Sequence, residues 1–146
     1  NFETVMPAGD VSMRKEIILN EVKELSRENR IDMEPDEDVA EILASTFHEL
    51  REGVSSMGHR IDRPSAVMST AEAVSVYYQT MLSAYYYGDS HMDMGCLVQN
   101  LVGAVQKENS DDLEKLRGYF QTVVRDRGGK EGGLWNSYYE ARKYLR

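Results

Sequence analysis

The stretch Pro64-Ser65-Ala66-Val67-Met68-Ser69-Thr70-Ala71-Glu72-Ala73-Val74-Ser75-Val76 places a helix-start signal directly after a long polar loop. Ser69 and Glu72 stand three apart and form a capping box. The serine oxygen can accept from the Glu72 backbone N–H, and the Glu72 carboxylate can reach back to the Ser69 N–H. From that start Ala73, Val74, Tyr77, Met81, Ala84 and Tyr85 recur at helical spacing as far as Gly88, with Ser75, Gln79 and Ser83 as a polar ridge opposite.

Working outward, the pattern predicts helices on both sides. Upstream, Asp10 or Ser12 can cap a helix that carries Ile18, Val22 and Leu25, with Ile17 beside them, and ends near Arg30. Next, Pro35 suits a first-turn position and Asp36, Glu37 and Asp38 favour the positive end of the helix dipole. Val39, Ile42, Leu43, Thr46, Phe47 and Leu50 form one stripe, and Gly53 supplies the left-handed stop.

Downstream, a Ser90-x-x-Asp93 signal precedes Met94, Leu97, Val98, Leu101, Val102 and Val105. Gly95 and Gly103 weaken that helix, so both are expected at close helix contacts. Ser110-Asp111-Asp112 opens a fifth helix with Leu113, Leu116, Phe120, Val123 and Val124, stopping at Gly128-Gly129. A flexible linker at 130–133 then leads to a last helix with Trp135, Tyr138, Tyr139, Arg142 and Leu145. The expectation is an all-α bundle of about six helices, with Phe2-Glu3-Thr4-Val5 as a short strand remnant and a long loop at 54–68. Its divisions are 1–9 as an entering linker, 10–127 as the helical domain, and 128–146 as the glycine-rich linker and C-terminal helix.

With 146 residues, 41% hydrophobic and 29% charged, the chain suits one ordinary domain that buries about two-thirds of its unfolded surface. No apolar run approaches the roughly 18 residues that span a bilayer, and the N-terminus lacks an export signal, so a cytoplasmic location and no membrane partner are expected. The single cysteine, Cys96, fits a reducing compartment. A start at Asn1 rather than Met suggests a piece of a longer chain. Residues 1–113 hold nine Lys and Arg against 21 Asp and Glu, a net −12, whereas residues 114–146 carry net +4. Most of the surface should repel nucleic acid, and the basic end could dock on an acidic neighbour.

The chain has no G-x-x-x-x-G-K-[ST] loop and no apolar strand ending in paired acids for Mg²⁺, so hydrolysis of ATP by these residues alone is not expected. His48, His59 and His91 lie on different elements without metal-ligand spacing, and Cys96 has no sequence-local base. Tyr77 and Tyr85 read as core. Tyr78, Tyr86 and Tyr87 would leave the third helix aromatic on several sides, as happens where something outside covers it. The loop at 54–68, with His59, Arg60, Asp62 and Arg63 around Met57-Gly58, exceeds the usual connection length and is the leading functional candidate.

The capped turn at Ser69, following a helix that ends His48-Glu49-Leu50-Arg51-Glu52-Gly53, resembles the C-terminal helical lid of MoxR-like AAA+ ATPases. Phe2 through Leu19, with Met6-Pro7 as the turn, resembles the junction between the ATP-binding core and that lid. The likeness covers residues from about 2 to about 127. It implies a lid that helps close a site for ATP and Mg²⁺ in the full-length protein, in a homo-oligomeric ring, and couples hydrolysis to remodelling of a client protein. The partners so implied are the core of the same chain, neighbouring subunits and the client. It also implies a sensor-2 arginine in the first turn of the third helix, in a pattern reading Ser-x-Arg. Here those positions are Ser69, Thr70 and Ala71, so the arginine is missing. Either the lid senses nucleotide weakly or another residue supplies the charge. Ser69, Thr70, Arg60 and Arg63 are the expected nucleotide-proximal residues, Arg60 and Arg63 if the loop folds back toward the helix start. A free-standing acidic helical adaptor that binds another protein is the alternative.

Overall fold

The computed structural model describes residues 7–65, 68–106 and 111–146, with side chains from residue 11 onward. The expected strand at residues 2–5 lies outside the described residues, as do the caps proposed for Ser110 and the Asp10 side chain. Helices α1 (Pro7–Glu28), α2 (Glu37–Glu52), α3 (Thr70–Tyr87) and α4 (Met94–Val105) are followed by α5 (Asp111–Tyr119). A π turn (Phe120–Val124) joins α5 to α6 (Arg125–Glu131), then come α7 (Gly133–Glu140) and a 3-10 turn (Ala141–Tyr144). Counting α5, the π turn and α6 as one rod, the described residues form six helical rods and contain no strand.

The apolar stripes read from the sequence build one continuous core. Ile18, Leu43, Phe47, Tyr77, Leu101, Phe120 and Tyr138 all contribute to it and are essentially inaccessible. Helix α1 packs along α2 and α3, while α4 bridges α3 to the C-terminal turn. Burial of this kind, at roughly 25 cal/mol per Å² of apolar surface, is the main force holding the rods together.

Several boundaries move, each for a physical reason. Helix α1 already runs from Pro7, a residue whose fixed φ suits a first helical position, so Ser12 lies inside the helix rather than at its cap. Pro35 precedes the cap instead of entering the first turn. Asp36 caps α2, its carboxylate accepting from the N–H groups of Asp38 (3.0 Å) and Val39 (3.2 Å). Asp93 alone caps α4, accepting from the Cys96 N–H at 3.2 Å. Ser90 instead sits in a left-handed turn at φ 68°. On α3 the buried face is Ala73, Val76, Tyr77, Thr80, Met81 and Ala84, leaving Tyr85 half-buried.

The two glycines of α4 part company. A Cβ on Gly95 would lie 2.6 Å from the Tyr144 ring, whereas nothing lies within 4 Å of one on the exposed Gly103. The expected stop at Gly128-Gly129 and the flexible linker after it are also corrected. Helix α6 continues through both glycines to Glu131, and Gly132 and Gly133, at φ 64° and 53°, make the turn into α7. At Gly128 a Cβ would stand 3.2 Å from the Asn136 Cα and the Trp135 carbonyl oxygen, so this glycine lets α6 and α7 approach. The π turn, where the Arg125 N–H reaches the Phe120 carbonyl, re-phases the rod so that Tyr119, Phe120, Val123, Val124 and Arg127 all face inward.

Candidate functional site

The segment at 54–65 is a folded turn rather than a free loop. Val54 and Arg60 form an isolated antiparallel bridge, and the Ile61 N–H donates to the Gly53 carbonyl at 3.0 Å. Gly58, at φ 87°, takes the tip of the turn, and the Ser55 hydroxyl accepts from the N–H groups of Met57 and His59. Ile61 is in the core. Ser65 donates its N–H and its hydroxyl to the two carboxylate oxygens of buried Asp112, at 2.8 and 2.9 Å.

Beneath this turn lies a buried ion pair. The Glu49 carboxylate of α2 accepts from Arg127 of α6 at 3.0 and 2.7 Å, from the Tyr119 hydroxyl at 2.6 Å and from the Ser56 N–H at 2.9 Å. Arg127 also donates to the Ser56 hydroxyl and lies 4.5 Å from the centre of the Trp135 ring. Both partners are buried, Glu49 2% and Arg127 5% exposed. Burial, and then the Glu49 charge, hold the Tyr119 hydroxyl far above the ordinary tyrosine range. Burial pulls the Arg127 guanidinium down, but the Glu49 hydrogen bonds and the neighbouring charges outweigh it, so the arginine stays charged. Trp135 is itself enclosed, 8% exposed.

At the outer edge of this knot the His59 ring stands 3.2 Å from Asp126. The His59 hydrogen bond, with Lys130 behind it, holds the Asp126 carboxyl below its usual value. No group of three or more His, Cys, Asp or Glu suited to a metal ion occurs among the described residues.

The residues expected near a nucleotide divide between places. Ser69 caps α3 and accepts from the Glu72 N–H at 3.1 Å. Thr70 follows it and accepts from the Arg14 guanidinium of α1 at 3.0 Å. Arg14, Arg51, His48 and Thr70 share a cleft of about 320 Å³. Arg60 instead lines a cleft against α5 with Asp111, Lys115 and Tyr119. The Arg63 stem packs over Gly53, its Cδ 2.9 Å from where a Cβ would stand. Neither arginine lies in the cleft that holds Thr70. Sequence reasoning missed Arg14 because it stands 56 residues from Thr70 and the α1–α3 contact exists only in the folded chain. Its charged face in a helix read as solvated was the sole signal.

Far from this end, Tyr87 is 91% and Tyr86 61% exposed, and Tyr86 meets Tyr85 edge to face at 5.0 Å. Tyr77, by contrast, is a core strut that accepts from the Asp36 N–H at 2.6 Å and donates to the Asp36 carbonyl at 3.1 Å. No helix among the described residues is long and apolar enough to cross a membrane.

The YehL protein of Escherichia coli (strain K12) is 33% identical over 148 residues, covering 99% of this chain and 39% of that protein. The chain thus spans about two-fifths of the length of this relative. No solved structure gives a significant match. The family described as YehL-like AAA+ ATPase C-terminal domain matches residues 15–146, and the chain belongs to that family.

Proposed function

We propose that this domain is the lid of a MoxR-like nucleotide site, closing over ATP and Mg²⁺ held by an AAA+ core and coupling hydrolysis to remodelling of a client protein. The supporting observation is the N-terminus of α3. Ser69 caps it, Thr70 lies beside an open cleft, and the 18-residue helix behind it aligns its peptide dipoles toward that end. Backbone N–H groups at such an end favour negative charge. The core of the same chain and neighbouring ring subunits are the partners of this reading. The adaptor reading draws on Tyr86 and Tyr87, exposed at the far end of the same helix, about 27 Å away at 1.5 Å per residue.

Thr70→Asp in the intact protein carrying this domain separates the two readings. An acid in the first turn is compatible with the helix and repels a phosphate. ATP affinity is expected to fall about tenfold, equivalent to about 1.4 kcal/mol. Unchanged affinity, together with loss of a protein partner on Tyr86→Ser/Tyr87→Ser, would favour the adaptor.

A further inference from the structure

We infer that the cleft between α1, α2 and the start of α3 is a phosphate site in which Arg14 and Arg51 supply the positive charge that Ala71 lacks. The inference rests on the lid reading above and names the residues that would read the terminal phosphate of a nucleoside triphosphate.

Four observations converge on it. First, the Arg14 guanidinium is fixed in place by its hydrogen bond to Thr70, at the end of α3 where N–H groups point outward. Second, Arg51 from the last turn of α2 lines the same cleft, so two arginines carried by different helices border it. Planar guanidinium forks match the oxygens of a phosphate. Third, His48, 4% exposed, forms a wall of this cleft and of the neighbouring one above Arg127, and its Nδ1 has no hydrogen-bond partner among the described residues. A buried ring nitrogen left without a partner costs free energy, which a small movement of the ring toward a phosphate oxygen would recover. Fourth, the surrounding sequence is strongly acidic, net −12 over residues 1–113, so a cleft with two arginines is set apart from the field around it. The carboxylates nearby are Glu52 in the cleft and Glu72 in the first turn of α3. Glu72 is already engaged, and Arg14 has a further partner besides Thr70. At about 320 Å³ the cleft admits a phosphate group and part of what carries it, and its apolar wall comes from Met13 and Ile17 of α1.

The test is titration of the intact protein with fluorescent ATP and ADP analogues, alongside inorganic phosphate. Arg14→Ala/Arg51→Ala is expected to weaken ATP about tenfold or more and ADP less than about threefold, since the lost charge-assisted bonds serve the terminal phosphate. Arg14→Lys/Arg51→Lys should recover part of the loss, which a merely misfolded domain would not show. Arg60→Ala/Arg63→Ala should leave both affinities unchanged. Equal losses for ATP and ADP would overturn the assignment. So would no loss in Arg14→Ala/Arg51→Ala while Thr70→Asp still weakens ATP, a result that leaves the lid reading standing. No effect from either would overturn both. If inorganic phosphate raises the melting temperature of the wild type but not of Arg14→Ala/Arg51→Ala, while ATP affinity is equal in the two, the site takes free phosphate and the nucleotide source is overturned.

Discussion

Two adjacent residues of α2 face opposite fates. Glu49 is saturated, with Arg127, Tyr119 and Ser56 filling its acceptor positions in the interior. His48, one residue earlier, keeps a buried nitrogen without a partner among the described residues, beside a cleft lined by Arg14 and Arg51. The first arrangement spends all its hydrogen bonds internally and fixes the packing of α2, α6 and the turn at 54–65. The second lines an open cleft together with two arginines. The contrast teaches that two residues adjacent in the chain can face different surroundings, one inside a closed ion pair that fixes the architecture and the other at the wall of an open cleft.

The sharpest way to break this contrast is Arg127→Ala. It leaves the Glu49 carboxylate buried and uncompensated, and stability measured by denaturant unfolding should fall by about 3–5 kcal/mol. Arg51→Ala in the cleft should stay within about 0.5 kcal/mol of the wild type. Comparable losses at the two arginines would dissolve the distinction.

A smaller effect is expected at Gly128, whose absent side chain lets α7 hold Trp135 over Arg127. Gly128→Ala forces a Cβ against the backbone of Asn136 and Trp135 and should cost about 1–3 kcal/mol. Gly103→Ala, in open space on α4, should instead be neutral or stabilise by up to about 1 kcal/mol. Thermal melts of the two variants check both signs.

The smallest effect lies at the rim, where His59 and Lys130 lower the Asp126 carboxyl. A carboxyl with a lowered folded value adds stability above the ordinary aspartate value, about 4, and loses it as pH falls through that range toward the lowered value. The melting temperature of the wild type should therefore drop more steeply below pH about 4 than that of Asp126→Asn. Parallel curves would show that this rim contact does not help hold the turn.

Much of the fold was legible because amphipathic stripes report their own burial. The stripe Val39, Ile42, Leu43, Thr46, Phe47 and Leu50 of α2 is buried as read, and burial extends around the helix to Ala44, Ser45, His48 and Glu49. The cap at Ser69 was legible too, since a short polar side chain acts on N–H groups two or three residues away, whereas Asp36 and Asp93 cap helices whose starts the sequence reading placed at Pro35 and Ser90. The misreadings share a cause. Gly128-Gly129 carries a stop signal by local propensity, yet the approach of α7 makes a glycine valuable inside a helix. Val74 and Tyr85, expected inward, are half-buried while Val76 and Thr80 are buried, because the buried face of α3 is set by which helices flank it. In the candidate site, Ser69 and Thr70 were visible as a capped start, but the arginine beside them was sought in the nearest loop rather than on α1.

The sequence by itself determined the helical class, the order and approximate ends of the rods, and the position of the helix start at Ser69, because each follows from interactions within a few residues. Only the tertiary structure decided which charges meet. It buried Glu49 against Arg127, 78 residues away, and carried Arg14 to Thr70 while Arg60 and Arg63 went elsewhere. Such pairings depend on how rods cross and on what each crossing removes from water, and no local pattern encodes that.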